Sequence, residues 1–167
     1  MVIGAILFSF QIYGDFSGYS DIALGTARML GIELLQNFSY PYFARNIADF
    51  WRRWHISLSS WFRDYVYIPL GGSLGPQWQK TRNVFVIFLL SGFWHGANWT
   101  FLFWGFLHSV FFMPVLLLKK NRNHLELNIA TTVSDKIITF VQITTNFCLV
   151  TFAWIFFRSA SLPNAFL

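Results

Sequence analysis

Apolar and polar positions change rhythm several times along this chain, and each rhythm predicts a different element. Residues 2–13 are a short apolar stretch, which Asp15-Phe16-Ser17-Gly18-Tyr19-Ser20-Asp21 then interrupts with polar side chains. That pattern is expected where a helix end dips into a polar interior. Residues 22–35 are mixed and read as helical, with Gly31 as a break. Pro41 then opens a new helix at its first turn, a position proline tolerates. From there Phe43, Ile47, Trp51, Trp54, Leu58, Trp61 and Tyr65 recur at steps of three or four, the signature of one amphipathic helix. Its other positions hold Arg45, Asp49, Arg52, Arg53 and Asp64, with Arg45/Asp49 and Asp49/Arg53 spaced to pair one turn apart. A helix so charged does not cross lipid alone, so it lies in the interface or lines a protein interior.

Glycine and proline punctuate residues 69–76 at nearly every step and predict a loop. Residues 84–118 then carry no Lys, Arg, Asp or Glu. As one helix this run would reach about 52 Å, against a hydrocarbon core of roughly 30 Å. A break at Gly96-Ala97-Asn98 is therefore expected, leaving a first arm of about twelve residues that reaches only ~18 Å and puts His95 near the bilayer middle. Basic residues at both ends, Lys80/Arg82 and Lys119/Lys120/Arg122, fit a dip and return to one face. A polar connector over 121–135 leads to a last spanning segment at 137–157, closed by Arg158. Non-helical backbone at depth survives where protein or a water-filled cavity surrounds it, so a cavity is expected around His95.

Composition agrees with lipid as the solvent: 55% of residues are hydrophobic and 11% charged, where soluble domains are nearer a quarter charged. The expected fold is all-α, a multi-pass helical membrane protein with re-entrant or interfacial helices, forming a single transmembrane region over 1–167. The net charge of +5 comes from clusters beside apolar runs, Arg52-Arg53 among them. Such placement suits topology signals and anionic lipid head groups rather than nucleic acid. The tryptophans and arginines of 50–62 read, in the same way, as an interfacial girdle. No basic n-region with a small-residue cleavage site precedes the first apolar stretch, so no signal peptide is read there. Cys148, the one cysteine, lies in an apolar segment and is expected to be a small buried hydrophobe.

An ionisable group inside an apolar run is a functional-site candidate by default, and His95 is the clearest one. A neutral imidazole there can accept a proton from an alcohol, a poor nucleophile until that proton is being removed. The plain alternative is a core histidine satisfied by one backbone carbonyl. His55, three before Leu58 and four after Trp51, turns toward the apolar stripe; its plain alternative is an interfacial histidine beside two arginines. His108 and His124 are read as structural. The histidine spacings of 40, 13 and 16 put no two on adjacent turns, so no metal site is expected. There is no Gly-x-Ser-x-Gly elbow, and Gly71-Gly72-Ser73 lacks the lysine of a phosphate-binding loop.

Taken in order, Asp15 to Asp21, Tyr40-Pro41-Tyr42-Phe43, Asp49-Phe50-Trp51-Arg52-Arg53-Trp54-His55-Ile56-Ser57-Leu58-Ser59, Trp61-Phe62-Arg63-Asp64-Tyr65, Ile68-Pro69-Leu70-Gly71-Gly72 and Trp94-His95-Gly96-Ala97-Asn98-Trp99, with Trp104-Gly105 and His108, resemble the membrane-bound O-acyltransferase family. Within it the chain is most similar to the alginate O-acetyltransferase branch, and it also resembles the D-alanyl transferases of teichoic acid. The stretch 152–158 looks like the family's late helix. The chain looks like the C-terminal portion of longer members, which have many more spans.

The resemblance implies an O-acyltransferase of the bacterial inner membrane, moving an acetyl group from a thioester donor (acetyl-CoA or an acyl carrier, with no tightly bound cofactor) to a hydroxyl of an exported polysaccharide such as alginate. It implies that His95 and His55 are the catalytic pair, and that Trp94, Asn98, Arg53, Arg63 and Asp64 support the chamber. An extracytoplasmic acetyltransferase is an expected partner, alongside membrane lipid. The rival readings are D-alanyl transfer to teichoic acid and a non-catalytic membrane scaffold or truncated inactive fragment.

Overall fold

The structure, a computed structural model, describes residues 2–118 and 132–166. Among them there is no strand. Six α-helices follow in order: α1 (Val2–Met29), α2 (Ile47–Arg53), α3 (Ile56–Phe62), α4 (Gln77–His95), α5 (Trp99–Leu117) and α6 (Val133–Arg158). A short 3₁₀ turn at Pro41–Phe43 precedes α2, a π turn at Arg63–Tyr67 extends α3, and a second 3₁₀ turn lies at Pro163–Phe166.

The long helices stand side by side. α4 and α5 form an antiparallel hairpin, and its tight packing follows from two glycines: the backbone of Phe101 lies where a β-carbon on Gly92 would go, and that of Phe88 where one on Gly105 would go. Small residues at such crossings are how helices approach closely in lipid. α6 packs antiparallel to α5 through Phe103 against Phe156 and Trp104 against Trp154. α1 packs antiparallel to α6, joined by a buried hydrogen bond from Ser9 Oγ to Thr151 Oγ1 at 3.0 Å. The short α2 packs against this row, and Phe50 and Trp54 enter the same core as Trp104, Val150 and Trp154. Local signals start the helices. Asn46 caps α2, Asn98 caps α5, and Thr132 with Asp135 makes a reciprocal capping box on α6.

Several expectations change. The polar stretch 15–21 does not end a helix: α1 runs through it for 28 residues. Nothing there breaks helical geometry, and Asp15 and Asp21 lie on the exposed side while Phe16 and Ser20 turn inward. Gly31, at φ 74°, does end α1, with Ile32 N–H bonded to Ala27 O and Gly31 N–H to Arg28 O. Pro41 opens a three-residue turn, not a long helix. The amphipathic pattern of 43–65 is not one helix either, because the chain breaks between α2 and α3 at Trp54-His55. The break at 96–98 stands where expected, yet the twelve-residue arm is the apolar part of a 19-residue α4. His95 therefore sits at the hairpin's turn, beside the first turns of α5 and the last turn of α6. Cys148 is exposed on α6, not buried, because an apolar stretch of sequence does not fix which face of its helix is covered. Lys119, Lys120, Arg122 and His124 lie outside the described residues.

Candidate functional site

The turn between α2 and α3 is built around His55. Its backbone is left-handed, φ 45° and ψ 57°, a conformation that costs a non-glycine residue about 1–2 kcal/mol. Asn37 holds it there. Ile56 N–H bonds to Asn37 O at 3.0 Å, while Ser57 gives both its N–H (3.1 Å) and its hydroxyl (2.6 Å) to Asn37 Oδ1. A second backbone bond, from Ser39 N–H to Arg53 O at 3.0 Å, closes the clamp. The imidazole is half-buried, with Phe16 edge-on at 4.7 Å and the Ser57 hydroxyl 3.5 Å from Nδ1. Burial holds its pKa below the ordinary histidine value, which keeps it neutral at neutral pH.

His95 ends α4 and is likewise half-buried. Phe157 of α6 meets its ring edge-on at 5.0 Å, Trp104 of α5 at 5.4 Å, and its neighbour Trp94 at 5.0 Å. The two imidazoles, 40 positions apart in sequence, border the same aromatic core: Trp54, next to His55, packs on Trp154 at 5.2 Å, and Trp154 packs on Trp104, which meets His95. The ring of His95 is thus neither open to bulk surroundings nor sealed into the core.

The other expected site residues divide. Trp94 is largely exposed and flanks His95. Asn98 accepts Thr100 N–H at 3.2 Å as the α5 cap and donates to Ala160 O at 3.1 Å, tying the hairpin turn to the end of α6. Arg53 donates to the largely buried Asp49 at 3.0 Å, whereas Arg45 reaches Asp49 through its backbone N–H, at 3.3 Å. Arg63 and Asp64 pair with each other at 2.7 Å on the exposed π turn. Their contact raises the Arg63 pKa and lowers that of Asp64. The structure does not bring this pair to the histidines. Arg63 instead joins Arg52 at the edge of an apolar cavity of about 260 Å³ between α2, α3, α4 and α5. Trp51 and Ser91 line that cavity, each four residues before one of the histidines.

One residue escaped the sequence reading. Asn37 acts on a turn some twenty positions away, and no local pattern signals that. His108, read as structural, is fully buried against Trp51 and Trp104, in keeping with that reading.

Residues 1–158 match the family model described as MBOAT, membrane-bound O-acyltransferase family. The chain belongs to this family. It is 40% identical to the probable alginate O-acetylase AlgI of Pseudomonas aeruginosa over 98% of its own length, and 44% identical to the peptidoglycan O-acetyltransferase of Helicobacter pylori over 96%. It is 35% identical to the teichoic acid D-alanyltransferase of Bacillus subtilis over 83% of its length. The first two matches cover 29% of each relative, so the chain spans about three-tenths of their length, in their C-terminal part. Membrane embedding agrees with α5 and α6, which are both long and apolar enough to cross a bilayer.

Proposed function

We propose that this chain carries the acyl-transfer site of an O-acyltransferase that acetylates a hydroxyl of an exported cell-surface polysaccharide at the inner membrane. The observation that carries the reading is that His55 and His95, held by separate elements, border one aromatic core inside a membrane-bound O-acyltransferase sequence. In this reading a ring nitrogen of His95 takes the proton of the acceptor hydroxyl as its oxygen attacks the thioester carbonyl. The tetrahedral intermediate collapses by breaking the C–S bond, the imidazolium returns the proton to the departing thiolate, and the ester is left on the sugar. His55, neutral and turned inward by its left-handed backbone, orients the acceptor or polarises the carbonyl. Backbone strain held by long-range bonds is a common feature of such positions.

An acetyl donor is favoured over D-alanine because identity is higher to the two O-acetylating relatives than to the D-alanyltransferase. The donor is a thioester, acetyl-CoA or an acyl carrier. An extracytoplasmic transferase that takes the group onward fits the same scheme. The test is a chimaera in which this chain replaces the C-terminal part of the Pseudomonas aeruginosa relative, in cells lacking the native copy. Polysaccharide ester content, read by mass spectrometry, should be restored by the chimaera and lost with His95→Ala while the protein still inserts. Ester formation that survives His95→Ala removes the base assignment, and dependence on the chain but on neither histidine favours the scaffold.

A further inference from the structure

The chemistry above leaves one buried imidazole unused. His108, on α5, is fully buried, and Phe50 and Phe88 both stack against its ring, at 6.5 Å and 5.9 Å. The Trp51 indole N–H donates to His108 Nδ1 at 3.3 Å, across 57 positions of sequence. An imidazole that accepts at Nδ1 carries its proton on Nε2, and among the described residues that Nε2 has no hydrogen-bond partner. An unpaired buried donor is destabilising, and phenylalanine would fill the same slot without one. Filling the core therefore does not explain a histidine here.

What the side chain does is tie two elements together at the back of the site. Trp51 sits on α2 four residues before His55. The Trp104 ring touches His108 at 4.8 Å on one side and His95 at 5.4 Å on another. We propose that His108 is a positioning residue for acyl transfer: by holding the Trp51 indole through Nδ1 it sets α2 against α5, and with them the mutual placement of His55 and His95. The proposal rests on the transferase reading.

In the chimaera, His108→Phe and Trp51→Phe should each slow turnover by about fivefold to tenfold with KM for the donor unchanged, because one neutral hydrogen bond is lost. The double variant should be no slower than either single one. His108→Asn, whose carbonyl oxygen falls near the position of Nδ1, should recover most of the rate. Full turnover in Trp51→Phe, losses that multiply, or recovery by His108→Gln and not by His108→Asn would overturn the assignment. Should His108→Phe fail to accumulate in membranes, Trp51→Phe and His108→Asn decide. A readout without activity uses the chain in detergent: the Trp51 indole ¹H–¹⁵N resonance, assigned by its absence in Trp51→Phe, should move upfield in His108→Phe and stay in place in His108→Asn. An unmoved resonance in His108→Phe also overturns it. An unaltered chimaera that makes no ester ends the transferase reading itself, a different result from equal ester formation by every variant.

Discussion

The α4–α5 hairpin carries His95 at its turn, so its closeness can be tested at Gly105. A β-carbon there would overlap the Phe88 carbonyl oxygen and lie 3.0 Å from the Phe88 carbonyl carbon and 3.5 Å from Leu89 Cα. Comfortable carbon contacts begin near 3.5–4.0 Å, and the obstructing atoms are helix backbone, so Gly105→Ala must part α4 from α5 by roughly 0.5–1 Å. Overpacking of this kind costs about 1–3 kcal/mol, offset by up to ~1 kcal/mol from the better helix propensity of alanine. A net loss of about 1–2 kcal/mol should lower the melting temperature in detergent by roughly 2–8 °C for a chain of this size. Gly18→Ala is the matched control, since a β-carbon there meets nothing within 4 Å, and it should melt at or above the unaltered temperature. A displacement near 1 Å at the hairpin should also slow ester formation by up to about 100-fold. If Gly105→Ala melts no lower than Gly18→Ala, the close crossing is not what holds the hairpin.

Asn37→Ala removes both bonds from Ser57 to Asn37 Oδ1 and should cost about 1–3 kcal/mol of stability together with ester formation, whereas Asn37→Asp keeps the acceptor and should lose less; equal melting of the two would show that the clamp is not structural. His55 has a folded pKa below its unfolded value of ~6.5, so the unfolded chain binds the extra proton: the contribution of this residue is full above about pH 6.5 and is lost as pH falls through the folded value. Melting temperatures between pH 8 and 5 should accordingly fall less steeply for His55→Phe than for the unaltered chain, and identical slopes would refute the assignment.

What the sequence by itself determined is what local chemistry decides. Residues 84–118 are too long and too apolar for one straight span, and Gly96-Ala97-Asn98 combines a weak helix former with a good cap, so the hairpin break was legible from its own few residues. The last spanning helix and the membrane setting were legible for the same reason, since both depend on the length and hydropathy of contiguous chain. The tertiary structure decided the rest. Periodicity tells which face of a helix is apolar but not what that face meets, so residues 43–65 kept a helical rhythm while Asn37 drew His55 into a left-handed turn. The same holds for Cys148, apolar in context yet exposed, and for His108, whose hydrogen bond comes from a tryptophan on another helix. The gathering of His55 and His95 around one aromatic core belongs with these. It follows from how α2, α4, α5 and α6 pack, and packing depends on pairs of residues that no window along the chain contains.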